Sequence, residues 1–127
     1  MNHLPKILFK VIPHSRQRYN TCGDYYKKFG AIQFRVSKMT FKYEFLIFIH
    51  ELIEWMLITI KGISIKEIDD FDINYENNRI VGDDSEPGDD PFAPYYDEHR
   101  IATQIEKLLA KHLNVDWELY SKAVKNL

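Results

Sequence analysis

The chain has 127 residues, of which 45% are hydrophobic and 28% charged, and its formal net charge is −2. At this length, one domain with its own hydrophobic core is expected over residues 1–127. The single cysteine excludes an intramolecular disulfide and a cysteine-cluster zinc site, which suits a reducing cytoplasm.

The charges are unevenly distributed along the chain. Residues 1–42 contain nine Lys/Arg and a single acid, Asp24, whereas the remainder contains eight Lys/Arg and eighteen Asp/Glu. The two parts therefore carry +8 and −10, and their mutual attraction within one fold is the simplest explanation. A nucleic-acid partner is not expected, but an acidic partner at the basic N-terminal part stays open.

Residues 1–38 predict a small antiparallel sheet of about three strands. Residues 7–12 have the composition of a first strand, and residues 32–36 alternate apolar and polar side chains as a half-buried strand does. Residues 25–26 are expected in the strand that pairs with 32–36, with Gly30 at or near the hairpin turn.

Residues 40–127 predict three to four helices, which gives an α+β fold. Thr40 can cap a long helix over residues 41–61, and Gly62 can end it in the left-handed conformation. The following segments are predicted in chain order: a helix that begins at the capping box of Ser64 and Glu67, an acidic loop over residues 79–93, a helix that begins after Pro94 and runs to about His112, and a short helix capped by Asp116.

The first long helix carries three ionisable residues, His50, Glu51 and Glu54, in an otherwise apolar stretch over residues 45–58. These residues, together with the short length of the apolar run, argue against a membrane span, and the chain start lacks a signal-peptide pattern. A buried carboxylate without a partner costs several kcal/mol or takes up a proton. A metal cation would satisfy two carboxylates and an imidazole together.

The spacing of these residues fits a metal site. His50 and Glu54 lie one turn apart on the same helix face and can bind one ion, with Glu51 at their flank. The pattern resembles the His-Glu-x-x-His motif of the zincin metallopeptidases, with Glu54 in place of the second histidine. The resemblance implies a zincin-like minimal core, metal binding by His50 and Glu54, and Glu51 as the base that activates a metal-bound water.

Glu54 also affects the choice of cation. Zinc is expected first, but an oxygen ligand makes manganese or iron possible. Zincins place an exposed edge strand just before this helix and bind peptide substrate along it, and residues 32–36 occupy that position in the chain. The alternative is a buried polar cluster without metal, in which Glu54 pairs with a basic residue or His50 is a hydrogen-bonded core residue.

The third ligand is predicted at the start of the third helix. His99 is the first choice because it supplies a nitrogen, and Glu106 lies two turns further along nearly the same face, where it could orient ligands. An apolar stripe of Ile101, Ile105 and Leu108 is continued better by Glu98, which stays open as the alternative ligand.

The chain also resembles a group of small uncharacterised phage and prophage proteins. The resemblance is carried by residues 43–46, 50–54, 71–72, 86–91, 93–94 and 98–106. It implies a phage or prophage origin and a bacterial cytoplasm, but it brings no established activity.

Three functions are consistent with these observations. The first is a metal-dependent hydrolase that acts on a peptide or protein through a metal-activated water. The second is a magnesium-dependent NTP pyrophosphohydrolase, because Glu51-x-x-Glu54 followed by Asp69-x-x-Asp72 resembles the paired acidic motifs of that all-α class. The third is a non-catalytic phage protein that binds a partner through the basic N-terminal part, with a structural metal or polar cluster.

Overall fold

The structure is a computed structural model that describes residues 3–127. Strands occupy the N-terminal part and helices the remainder, which confirms the predicted α+β class. The elements are β1 (Lys6–Ile12), β2 (Gly23–Lys28), β3 (Ala31–Ser37), α1 (Phe41–Lys61), α2 (Ile65–Asn77), α3 (Tyr96–His112) and α4 (Trp117–Lys125), with 3₁₀ turns at His14–Arg16 and Pro87–Asp89.

The three strands form a mixed sheet in the order β1-β3-β2. β2 and β3 form the predicted antiparallel hairpin, and Phe29 and Gly30 at its turn both have positive φ, as the tight hairpin turns require. The prediction that the whole sheet is antiparallel was wrong, because β1 pairs parallel to β3. β3 is buried along nearly its whole length and takes the central position, which leaves the basic end of β2 at an edge.

The central position of β3 also corrects the prediction of an edge strand directly before the long helix. β3 is hydrogen-bonded on both sides, so its backbone is not open to a peptide. β2 is the edge strand on the side of α1 that carries the site, because Gly23, Asp24 and Tyr25 line the cavity described below.

α1 packs across the sheet through one apolar face. The Phe34 side chain is fully buried, and its ring meets the Trp55 ring edge-on at 5.9 Å between centroids. A second apolar cluster includes Leu46 and Tyr120 and joins α1 to α4. His50 and Glu54 lie on α1 between the residues that serve these two clusters, and both are buried.

The helix ends follow the predicted signals with one exception. The Ser64 hydroxyl accepts the Glu67 N–H at the start of α2, and Asp116 accepts the Leu119 N–H at the start of α4. The Thr40 hydroxyl makes no capping hydrogen bond within the described part of the chain. The first turn of α1 is instead held by Glu44, whose carboxylate accepts the Met39 N–H at 2.8 Å.

Within residues 3–127, no helix is both long and apolar enough to cross a membrane.

Candidate metal centre

Three donor atoms from α1 and α3 converge in the interior. The Glu54 Oε2 atom lies 3.1 Å from His50 Nε2 and 2.9 Å from His99 Nδ1, and the two nitrogens are 3.2 Å apart. Ligand atoms about 2.1 Å from a cation lie about 3.4 Å apart in a tetrahedral site and about 3.0 Å apart in an octahedral one. The triad therefore has the dimensions of one face of a metal coordination sphere.

Packing between α1 and α3 produces this arrangement. His50 and Glu54 are one helical turn apart on the buried face of α1, as their spacing predicts. α3 crosses against that face and brings His99 to it from its first turn. The three side chains are at most 9% exposed, so each needs a polar or ionic partner.

His99 and not Glu98 completes the triad. The Glu98 carboxylate points elsewhere and pairs with Lys61, whose Nζ atom lies 3.1 Å from its Oε2. The predicted apolar stripe on α3 was also wrong, because Ile101 and Leu108 are 38% and 68% exposed. The face of α3 that packs inward consists mainly of small and polar residues: Glu98, His99, Ala102, Glu106 and Ala110.

A second layer of hydrogen bonds orients the side chains of the triad. Glu106 Oε1 lies 2.7 Å from His50 Nδ1, so His50 can donate its N–H there and keep Nε2 free for a cation. The Tyr120 hydroxyl donates to the other Glu106 oxygen, at 2.5 Å. Tyr25 donates to Glu54 Oε1 at 2.7 Å and leaves Oε2 to face the two rings. The sequence predicted an orienting role for Glu106 but did not identify Tyr25 or Tyr120.

Protons satisfy this cluster when no cation is bound. Burial alone lowers the pKa of His50, but the Glu106 and Glu54 carboxylates outweigh it and hold that pKa well above its usual value. His99 behaves in the same way because of Asp89, Glu54 and Glu86. Burial raises the pKa of Glu54, but hydrogen bonds to the two histidines outweigh burial and lower that pKa to about 2. A cation would replace the ring protons that converge on Glu54.

Glu51, the predicted base, is a separate group at the same cavity. Burial raises its pKa well above the usual value, and the negative charge of Glu54 adds to that effect. Strand β2 lies very close to it, since a Cβ atom on Gly23 would be only 2.7 Å from Glu51 Cγ and Oε1. Glu51 is thus beside the donor triad without being a member of it.

The triad opens into a cavity of about 560 Å³. Its walls come from β2, the acidic loop and all four helices. The lining includes Glu51, Asp72, Tyr95 and Glu86, together with the three donor residues. A cavity of this volume can admit a side chain or a short segment of a substrate.

Asp72 forms a second buried polar centre in this cavity. Tyr95 donates to its Oδ1 at 2.5 Å and Tyr19 to its Oδ2 at 3.1 Å. Burial outweighs these hydrogen bonds and raises the pKa of Asp72 to about 7. Tyr95 is therefore a hydrogen-bond donor to the Asp72 carboxylate, while Tyr96 packs at the edge of the core.

The pKa of Asp72 predicts how stability depends on pH. An unfolded aspartate has a pKa of about 4, so folded Asp72 binds its proton more tightly, and stability falls by up to about 1.4 kcal/mol per pH unit between about pH 4 and pH 7. Asp72→Asn does not titrate and keeps acceptors and donors for the two tyrosines. We expect the variant to gain stability relative to wild type between pH 5 and pH 8, as measured by urea unfolding. An equal pH dependence in both proteins would contradict the raised pKa.

Comparisons with known protein families, with curated proteins and with solved structures found no match. The phage or prophage origin stays a prediction.

Proposed function

We propose that this protein is a metal-dependent hydrolase with a zincin-like site, in which His50, Glu54 and His99 bind one divalent cation. The observation that carries the proposal is the convergence of two imidazole nitrogens and one carboxylate oxygen within 3.2 Å of one another in the interior. The second-layer contact from Glu106 to His50 supports it, because a carboxylate on the far nitrogen is typical of histidine metal ligands. Two nitrogens and one oxygen favour zinc, with manganese or iron as alternatives.

The chemistry follows from the neighbours of the triad. A bound cation would acidify a water molecule and polarise a carbonyl oxygen. Glu51 would then act as general base and take the proton of that water, because its burial raises its pKa and so strengthens it as a base. Asp72 and Tyr95 also line this cavity, and the hydrogen bond between them fixes the position of both side chains.

An extended peptide is the substrate that the cavity favours. β2 is an edge strand, and its residues 23–25 line the cavity next to Glu51. Backbone groups at a sheet edge can bind an extended peptide by adding it as a further strand. The peptide bond would then lie across the mouth of the site.

The pyrophosphohydrolase alternative has less support. Its second acidic motif requires Asp69 and Asp72 to share a magnesium site with Glu51 and Glu54, but Asp69 pairs with Arg18 at 3.1 Å. Arg18 also binds Asp24 at 2.7 Å and so ties β2 to α2. The sheet at the start of the chain further separates this fold from that all-α class.

Elemental analysis tests the proposal directly. Protein purified without a tag or chelator should contain close to one zinc, manganese or iron per chain, and His50→Gln and Glu54→Gln should each lose it. The control is Glu98→Gln, which should keep the metal. Glu98 is buried on α3 next to His99, but its carboxylate pairs with Lys61. Wild-type protein that stays metal-free after zinc or manganese is added would contradict the proposal. The polar cluster would then be structural, and partner binding by the exposed basic residues would become the first hypothesis.

A further inference from the structure

The second ring nitrogen of His99 faces a different pair of carboxylates. Its Nε2 atom lies 3.1 Å from Glu86 Oε2 and 3.3 Å from Asp89 Oδ1. His99 is only 7% exposed, and Nε2 has no hydrogen-bond partner among residues 3–127. The two oxygens therefore flank the nitrogen and do not lie in line with its N–H bond. A flanking position is the one that neighbouring ligands take around a shared cation.

The acidic loop builds this arrangement through its 3₁₀ turn. Glu86 and Asp89 are three residues apart, so the turn places both side chains on the same side. Gly88 between them lies directly on the His99 ring, since a Cβ atom there would be 2.4 Å from His99 Cγ. The two carboxylates are more than half exposed, whereas the Glu54 side chain is 5% exposed. The cluster thus reaches from solvent to the buried ring.

We propose that His99 Nε2, Glu86 and Asp89 form an outer site for a divalent cation, through which the cation reaches the inner site of His50, Glu54 and His99. One nitrogen and two carboxylate oxygens within 4.8 Å of one another are suitable ligands for zinc or manganese. The outer site does not depend on the proposed function. Its role as an uptake path does, because that role requires the inner site.

The His99 ring can bind a cation in the outer site or in the inner site, but not in both at once. A neutral imidazole has one lone pair, so His99 binds a cation either through Nε2 or through Nδ1. In the outer position Nδ1 carries the proton and donates it towards Glu54 Oε2, 2.9 Å away. On passage to the inner position Nδ1 releases that proton to water in the cavity, and Nε2 takes one from solvent beside Glu86 and Asp89. The total number of protons on the ring does not change.

Equilibrium titration with Zn²⁺ tests for the outer site. His50→Gln/Glu54→Gln removes two inner ligands and should leave one Zn²⁺ per chain, bound at least about tenfold more weakly than in wild type. Adding Glu86→Gln and Asp89→Asn to that variant should abolish the remaining binding. Equal residual binding in the double and quadruple variants would overturn the outer site. Circular dichroism of each variant checks that the loss does not come from unfolding.

The rate of Zn²⁺ uptake tests whether the outer site is the route to the inner site. The substitutions used change two exposed loop side chains and leave the inner residues as they are. Glu86→Gln/Asp89→Asn should slow uptake by chelator-treated protein at least about tenfold and slow release equally, so that Kd does not change. The control is Asp83→Asn/Asp84→Asn, which removes the same charge from the same loop. Uptake no slower than in the control would overturn the uptake path. Faster release with unchanged uptake would also overturn it, because the carboxylates would then only orient His99.

The two proposals fail in different ways. If Zn²⁺ binding is the same in wild type and in His50→Gln/Glu54→Gln but is lost with Glu86→Gln/Asp89→Asn, the outer site stands and the proposed function falls. If the inner substitutions remove all binding and the outer ones change neither rate nor affinity, the proposed function stands and the outer site falls.

Discussion

Under the proposed function, Glu51→Gln is expected to lower hydrolysis by about 10²- to 10⁴-fold without loss of the metal. The glutamine amide has nearly the same shape as the carboxylate but cannot take a proton from water. The structure separates this effect from metal loss, because the donor atoms belong to His50, Glu54 and His99 and not to Glu51. A peptide-library screen with wild-type protein supplies the substrate, and kcat/KM is then compared for wild type and variant.

Elemental analysis of the same preparations shows whether the variant retains its metal. Glu98→Gln is the matched control, because it makes the same change in a buried glutamate that faces Lys61 and lies outside the donor triad. This control should keep both metal and activity. Wild-type activity in Glu51→Gln would remove the proposed base, and loss of the metal would mean that Glu51 is itself a ligand.

The sequence predicted the α1 half of the site because burial and helical spacing act together there. His50 and Glu54 are separated by one turn and share a face with Leu46 and Ile58, both fully or almost fully buried. In such a helix the position of a polar residue follows from the apolar residues around it. The structure places His99 beside His50 and Glu54, whereas the stripe of α3 that faces inward was misidentified.

α3 shows why periodicity failed there. Ile101 and Leu108 are exposed, whereas the buried face is built from alanines and charged residues. A charged face is buried only when another element supplies its partners, and His50 on α1 supplies one for Glu106. The spacing of apolar residues within one helix cannot predict such partners, because they come from distant parts of the chain.

The order of the strands and the position of the acidic loop could not be predicted from local sequence, because both depend on contacts between distant parts of the chain. Parallel pairing of β1 with β3 depends on which strand takes the centre, and this is decided by burial of the whole sheet. The loop over residues 79–93 has no apolar period, so its composition predicted a loop but could not place Glu86 and Asp89 beside His99. The run of five acids between residues 83 and 90 was the only available signal.

Gly88→Ala is expected to weaken Zn²⁺ binding by about 10- to 100-fold, the range found when the support of a metal ligand is lost. Gly88 does not have a positive φ, so its backbone accepts alanine, and the effect is steric. The added Cβ would lie 2.4 Å from Cγ and 2.6 Å from Nδ1 of His99, much closer than non-bonded atoms allow. The ring cannot retreat without moving Nδ1 away from Glu54 Oε2, its neighbour at 2.9 Å.

Competition with a chromophoric chelator measures this loss of affinity, and urea unfolding of the metal-free protein checks stability. Phe92→Ala is the control, because Phe92 belongs to the same loop, is 89% exposed and can be truncated without loss of packing. Unchanged affinity in Gly88→Ala would mean that the loop moves off the ring at little cost. Glu86 and Asp89 would then not be held beside His99, and the outer site would lose its geometric basis together with this prediction.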